Sequence, residues 1–267
     1  MAKNNDSENS PQQIGGAGVL NDLANLQPWD VRILTLSPTI FPGPLQHSVI
    51  GKAFSKQKWE LKVTDIHNYP ADKHGTVDDP PYGGGGGMVL RPDVASQAIE
   101  DNFVLFDAKM PIIYLSPRGQ VFKQQTAADL AKLNGVQLLC GRFEGIDERI
   151  IDKYGITEIS IGDYVLSSGD LAAYVLLDAC IRLLPGVIEQ NNSLAEESFG
   201  YGTLYENLLE YPHYTRPAEW KEIEVPDVLL SGHHSNIAKW RLEQAKTKTQ
   251  KIRPDLWSKY QDTLIKK

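Results

Sequence analysis

The chain has 267 residues, 41% hydrophobic and 23% charged, with a formal net charge of −7. This composition supports one large core or two modest ones and excludes wholesale disorder, collagen and a disulfide scaffold. No run of eighteen apolar residues exists, so no membrane span is expected, and the overall acidity argues against nonspecific nucleic-acid binding.

Residues 1–28 are polar and glycine-containing, without an apolar signal segment, and read as a flexible extension of a cytoplasmic protein. Order is expected from Trp29. Val31–Leu36 is a short apolar run stopped by Ser37-Pro38, a buried strand, and Glu60–His67 alternates as a second strand. The polar stretch Lys73–Pro81 leads into five glycines, Gly83–Gly87. No Lys-Ser/Thr follows them and no helix opens directly after, so a phosphate loop is a poor fit. A flexible loop over a substrate suits them better, with a plain surface loop as the alternative. Arg91–Asn102 reads as a helix.

Three further strands are predicted, and each runs into a glycine-containing loop. Met110–Leu115 runs into Ser116–Gly119, Val136–Cys140 into Gly141–Gly145, and Thr157–Ile161 into Gly162–Gly169. Helices are predicted between them at Gln124–Leu133 and Asp147–Lys153. Apolar strands alternating with helices indicate an α/β fold with a mainly parallel sheet. In such sheets ligands bind beyond the carboxyl ends of the strands, where these loops fall. Glycine amides, small hydroxyls and the apolar side chains of Tyr114, Leu115, Ile161, Tyr164, Val165 and Leu166 suit an uncharged ring such as adenine.

Asp170–Leu184 is the strongest helix signal, with Ser167 or Ser168 as its cap and Pro185-Gly186 as its stop. Tyr174, Asp178 and Arg182 recur every four positions on one stripe. Arg182 is either a partner for Asp178 or a cation aimed at a ligand. Residues 189–203 read as a linker. Beyond it lie a segment dense in aromatics and prolines and two helices, Ser235–Lys246 and Pro254–Leu264. Residues 231–267 carry nine Lys or Arg against three acids, a net +6 that leaves −13 elsewhere. That basic end is either a solvated tail or a nucleic-acid contact. Cys140 and Cys180, both in apolar segments, read as buried free thiols, and no zinc-type spacing is present.

Six short segments carry a resemblance: His74–Gly85, Ile113–Gly119, Cys140–Arg149, Ile161–Ser167, Pro212–Pro217 and Val228–His233. In this order they resemble the bacterial tRNA (guanine-N1)-methyltransferases of the SPOUT superfamily, over roughly residues 30–257. The resemblance implies an α/β fold with a deep trefoil knot in the strand-end loops, followed by a small helical C-terminal domain. It implies an extension at 1–28, a knotted donor-binding domain at 29–188, a linker at 189–203 and a tRNA-binding domain at 204–267.

The implied activity is methyl transfer from S-adenosyl-L-methionine to N1 of the guanine at tRNA position 37, by a homodimer whose active sites are shared between subunits. Another RNA site, or a silent RNA-binding relative, are the alternatives. The implied donor site is Tyr114, Leu115, Ser116, Pro117, Gly141, Glu144, Gly145, Ile161, Gly162, Asp163, Tyr164, Val165, Leu166 and Gly169. The implied catalytic pair is Glu197, removing the N1 proton, and Arg182, stabilising charge on O6, with Glu196 the lesser candidate for base. Lys246, Lys248 and Lys251 would meet tRNA phosphates. Magnesium is expected from the family, with no ligand assigned. The chain departs from the family pattern at Phe143, where tyrosine is common. It departs again at Ser168, where a second glycine is common and a side chain would crowd the ligand if the backbone needed positive φ. It also has Gly86 for proline, which should make that loop more mobile, and Glu197 for aspartate.

Overall fold

A computed structural model describes residues 27–142, 144–188 and 196–265. The extension up to residue 26, Phe143, the linker residues 189–195, and Lys266 and Lys267 lie outside the described residues.

Five strands form one sheet: β1 (Trp29–Thr35), β2 (Trp59–Asp65), β5 (Ile112–Val121), β6 (Gly135–Leu139) and β7 (Thr157–Ser160). Their order is β2-β1-β6-β5-β7, and every pair is parallel. Parallel strands need crossovers, and helices supply them: α1 (Ser48–Ser55), α2 (Pro92–Asn102), α3 (Gln124–Leu130) and α4 (Glu148–Tyr154), while α5 (Gly169–Ile181) follows the last strand of the sheet. β3 (Asp78–Asp79) and β4 (Val89–Leu90) pair antiparallel and close the base of the five-glycine loop.

Side chains alternate across the sheet, so each strand feeds two cores. On one face Val31, Ile33, Ile113, Leu115 and Leu138 pack with Leu176, Leu177 and Ile181 of α5. On the other, Leu34, Ile112, Tyr114 and Leu139 pack with Val94, Ala98 and Ile99 of α2 and Ile150 of α4. Each fully buried aliphatic contributes about 1.5–3 kcal/mol, which makes this three-layer body a rigid platform for the strand ends. The one polar side chain of β6, Gln137, is buried but satisfied, donating to the Val104 and Met110 carbonyls and accepting from the Val104 N–H.

A third apolar cluster of Tyr205, Leu208, Tyr211, Ala245 and Tyr260 holds the C-terminal region together. It contains β8 (Glu219–Trp220), β9 (Ile223–Glu224), α6 (Asp227–Leu230), α7 (His234–Ile252) and α8 (Pro254–Ile265). Among the described residues no helix is long and apolar enough to cross a membrane.

The elements follow the sequence expectation except at a few ends. The strand predicted at Met110–Leu115 continues to Val121, because Ser116–Gly119 bulges out and the chain returns to the same neighbour: Leu115 and Gln120 both face Ile159. Pro117 has no N–H for the ladder, which suits it to the bulge. Ser168 occupies the N-cap of α5, but its hydroxyl makes no capping bond. The Gly169 N–H instead donates to the Gly141 carbonyl at 2.9 Å. α7 runs six residues beyond the expected end at Lys246. The buried Thr249 hydroxyl sustains it there, donating to the Ala245 carbonyl and accepting from the Leu209 N–H. The sequence pattern did not signal α1, the β3–β4 pair, the β8–β9 pair or α6.

Candidate active site

The bulge within β5 and the loops after β6 and β7 enclose one cavity of about 280 Å³. Its walls are Tyr114, Leu115, Ser116 and Pro117; then Gly141, Glu144 and Gly145; then Ile161, Gly162, Tyr164, Val165, Leu166 and Gly169. These are thirteen of the fourteen residues expected there. Asp163 is exposed and lines nothing. The Tyr164 N–H donates to the Gly162 carbonyl at 2.9 Å, a three-residue turn that turns the aspartate outward. Arg118, Arg142, Ser160, Ser167 and Ser168 also line the cavity. Sequence reasoning named Ser168 only as a residue that would crowd the site and missed the other four, although they stand inside or beside the same loops.

Two glycines shape the space. A Cβ on Gly141 would lie 2.7 Å from the Tyr114 ring, so only glycine lets that buried ring close the floor. Burial raises the Tyr114 hydroxyl above its ordinary pKa. A Cβ on Gly169 would lie 3.2 Å from the Gly141 nitrogen and 3.5 Å from the Leu115 carbonyl oxygen. The start of α5 therefore presses directly on two strand ends. Ser168 has φ −160°, an extended conformation, so the crowding expected from its side chain has no backbone cause. These close backbone approaches, with the apolar Leu115, Ile161 and Val165, leave a cavity of a kind that can take a flat ring.

The five-glycine loop does not itself line the cavity but meets its lining residue Glu144. Glu144 donates its N–H to the Met88 carbonyl at 2.9 Å, and its side chain packs on Gly87. Arg91 braces the base of the loop with Asp79 at 3.1 Å and Asp93 at 2.8 Å.

Arg182 stands at the C-cap of α5. Its ion pair is with Glu197, in a two-pronged arrangement: Nη1 donates to Oε2 at 2.7 Å and Nη2 to Oε1 at 2.6 Å. The pair is roughly three-quarters buried, and the carboxylate raises the pKa of the guanidinium further. Glu196 turns the other way. Its Oε2 accepts from the Tyr211 hydroxyl at 2.6 Å and from Arg241 Nη1 at 3.0 Å. Of the two carboxylates, Glu197 is the one held at Arg182. Neither Arg182 nor Glu197 lines the cavity, whose residues Gly169 and Ala172 belong to the opposite end of α5.

The three lysines do not form one patch. Lys246 is partly buried and paired with Glu243 at 2.7 Å, while Lys248 and Lys251 are exposed and share a different side of α7. Among the described residues no group of three or more His, Cys, Asp or Glu converges as a metal set. Cys140 and Cys180 are free and buried, as expected.

Residues 29–259 match the family described as tRNA (Guanine-1)-methyltransferase TrmD. The tRNA (guanine-N(1)-)-methyltransferase of Rhodospirillum rubrum is 52% identical over 228 residues, 85% of this chain and 92% of that protein. Its counterpart in Ruegeria pomeroyi is 50% identical over 235 residues, 88% of this chain and 95% of that protein. The protein of the same description in Wolbachia pipientis subsp. Culex pipiens is 51% identical over 228 residues, 85% of this chain and 97% of its own length.

Proposed function

The chain belongs to the tRNA (guanine-1)-methyltransferase family, and from that premise we propose that it methylates N1 of the guanine at tRNA position 37, with S-adenosyl-L-methionine as donor. The observation that carries this reading is the Arg182–Glu197 pair. The pairing edge of guanine sets an acceptor, O6, beside a donor, N1–H. A guanidinium and a carboxylate side by side offer the complementary donor and acceptor. Adenine presents the opposite order, so the same pair rejects it. On this reading the incoming base opens the pair and takes one bond from each member.

The bound donor supplies an electrophilic methyl on a sulfonium sulfur. Glu197 would accept the N1 proton as the N1 electron pair takes up the methyl group, which the donor would release with its sulfur left as a neutral thioether. Arg182 donates to O6 and stabilises the charge that grows there. Glutamate differs from aspartate by one methylene at a similar intrinsic pKa, so this chemistry needs only a small shift in the backbone.

We also propose a homodimer with shared sites. The thirteen residues of α5 span about 20 Å, which separates Arg182 and Glu197 from the donor cavity of their own chain. Leu171 and Val175 of α5, with Tyr164 and Val165, leave an exposed apolar stripe on which a second copy can pack. The close approach of the three strand-end loops at Gly141 and Gly169 supports a knotted arrangement. Residues 29–188 would hold the donor, residues 204–267 the tRNA, and that substrate places the enzyme in the cytoplasm.

The test is a methyl-incorporation assay with a tRNA bearing guanine at position 37, followed by digestion and identification of the methylated nucleoside. 1-Methylguanosine at that position is expected. A methyl at another site, or donor binding without any transfer, overturns the reading.

A further inference from the structure

The adjacent carboxylates Glu196 and Glu197 have unlike partners. Glu197 faces Arg182 at the end of α5, while Glu196 is held by Tyr211 and Arg241 of the C-terminal region. Arg241 also lies over the Tyr211 ring, 4.9 Å from its centroid, and the ring is buried in the C-terminal apolar cluster. The main chain follows Glu196. The Phe199 N–H donates to the Leu208 carbonyl at 2.8 Å, and the Glu210 N–H donates to the Ser198 hydroxyl at 2.9 Å. The turn that carries Glu197 is thus fastened to the C-terminal region.

This matters when the base arrives. Once guanine separates Arg182 from Glu197, the glutamate loses the partner that fixed it. A flexible side chain then has to hold its oxygen at N1–H, and a displacement of about 1 Å at such a step costs on the order of a hundredfold. The remaining restraint is the backbone of residues 196–199, and the grip on Glu196 fixes it.

We propose that Tyr211 and Arg241 are positioning residues for methyl transfer, which act by clamping Glu196 and so setting the place of Glu197. This rests on the reading of Glu197 as the base. Both clamp bonds end on the same oxygen, Oε2. An amide carbonyl oxygen can accept both, so glutamine preserves the clamp, whereas alanine abolishes it. The clamp also makes the C-terminal region, where tRNA docks, the part of the molecule that aims the base.

Single-turnover rates are measured at saturating tRNA and donor, with the donor Kd and tRNA Kd determined alongside. Glu196→Gln is expected within about threefold of the parent, while Glu196→Ala and Arg241→Ala lose about tenfold or more. Tyr211→Phe, which keeps the ring in its cluster and removes only the hydroxyl, falls between them. Donor affinity stays at the parent value throughout, which also reports an intact donor domain. Arg241→Ala combined with Glu197→Gln is no slower than Glu197→Gln alone, because the two act on one step. A parent-like rate for Arg241→Ala overturns the proposal. So does a loss that multiplies with Glu197→Gln, or one that resides wholly in tRNA Kd. The underlying reading fails by a separate result: Glu197→Gln turning over near the parent rate removes the base, and the clamp with it.

Discussion

Mixing two inactive variants tests the split site directly. Gly141→Arg fills the donor cavity beside Tyr114, where even a Cβ has no room. Glu197→Gln leaves that cavity untouched and removes the proposed base. Arg182 and Glu197 stand at the far end of α5 from Gly169, about 20 Å along its axis, too far for direct transfer within one chain. If each site takes its donor from one subunit and its base from the other, random pairing makes half the dimers mixed. Each mixed dimer has one site with both defects and one with neither. Activity should therefore recover to about a quarter of the parent value after subunit exchange, from two preparations that are each inactive. The assay is methyl incorporation into tRNA, with exchange confirmed by mass spectrometry of differently tagged subunits. Zero recovery despite complete exchange would refute the reasoning, since it is the outcome for a site contained in a single chain.

Gly141→Ala is a finer probe of the cavity: forcing a methyl against the Tyr114 ring should lower unfolding stability by about 1–3 kcal/mol. The same change should weaken donor binding about tenfold or more by calorimetry, and parent-like values for both would remove the packing argument. Lys248→Glu with Lys251→Glu should reduce tRNA affinity and flatten its log–log salt dependence by about 0.9 for each phosphate no longer neutralised. Lys246→Glu should do less, because Lys246 is already paired with Glu243; equal effects from all three would contradict the orientation of α7. Burial holds the Cys140 thiol well above its ordinary range and pushes Cys180 up to about 12. Both stay protonated at pH 8, so a thiol reagent should titrate neither in the native protein and both after denaturation. Rapid native labelling would show that the core opens.

The strand and helix pattern was legible in the sequence because each element is periodic on its own. Runs that are apolar but for one residue, such as Val136–Cys140 with Gln137, indicate a strand buried on both faces, and β6 is buried along its whole length. The strand-end loops were equally legible as a place for a ligand, since a parallel sheet places every strand's carboxyl end on one edge. Thirteen of the fourteen residues that the family resemblance implied line one cavity at that edge. Asp163 does not, because a backbone hydrogen bond between Gly162 and Tyr164 decides its direction, and no spacing encodes it.

The choice of partner for Arg182 lay beyond periodicity, and only the family resemblance pointed to Glu197. Helical periodicity offers Asp178 one turn away, but the linker brings Glu197 to a two-pronged bond that a short helical aspartate does not match. The opposite fates of Glu196 and Glu197 likewise depend on Tyr211 and Arg241, which the chain supplies 15 and 45 residues after Glu196. Composition and periodicity determined the sheet, its helices and the edge where a ligand can bind, because those depend on each residue's neighbours along the chain. Composition and periodicity could not choose between two identical adjacent carboxylates; the family resemblance pointed to Glu197, and the tertiary structure is what brings it to the arginine, because that depends on groups distant in sequence arriving at one point.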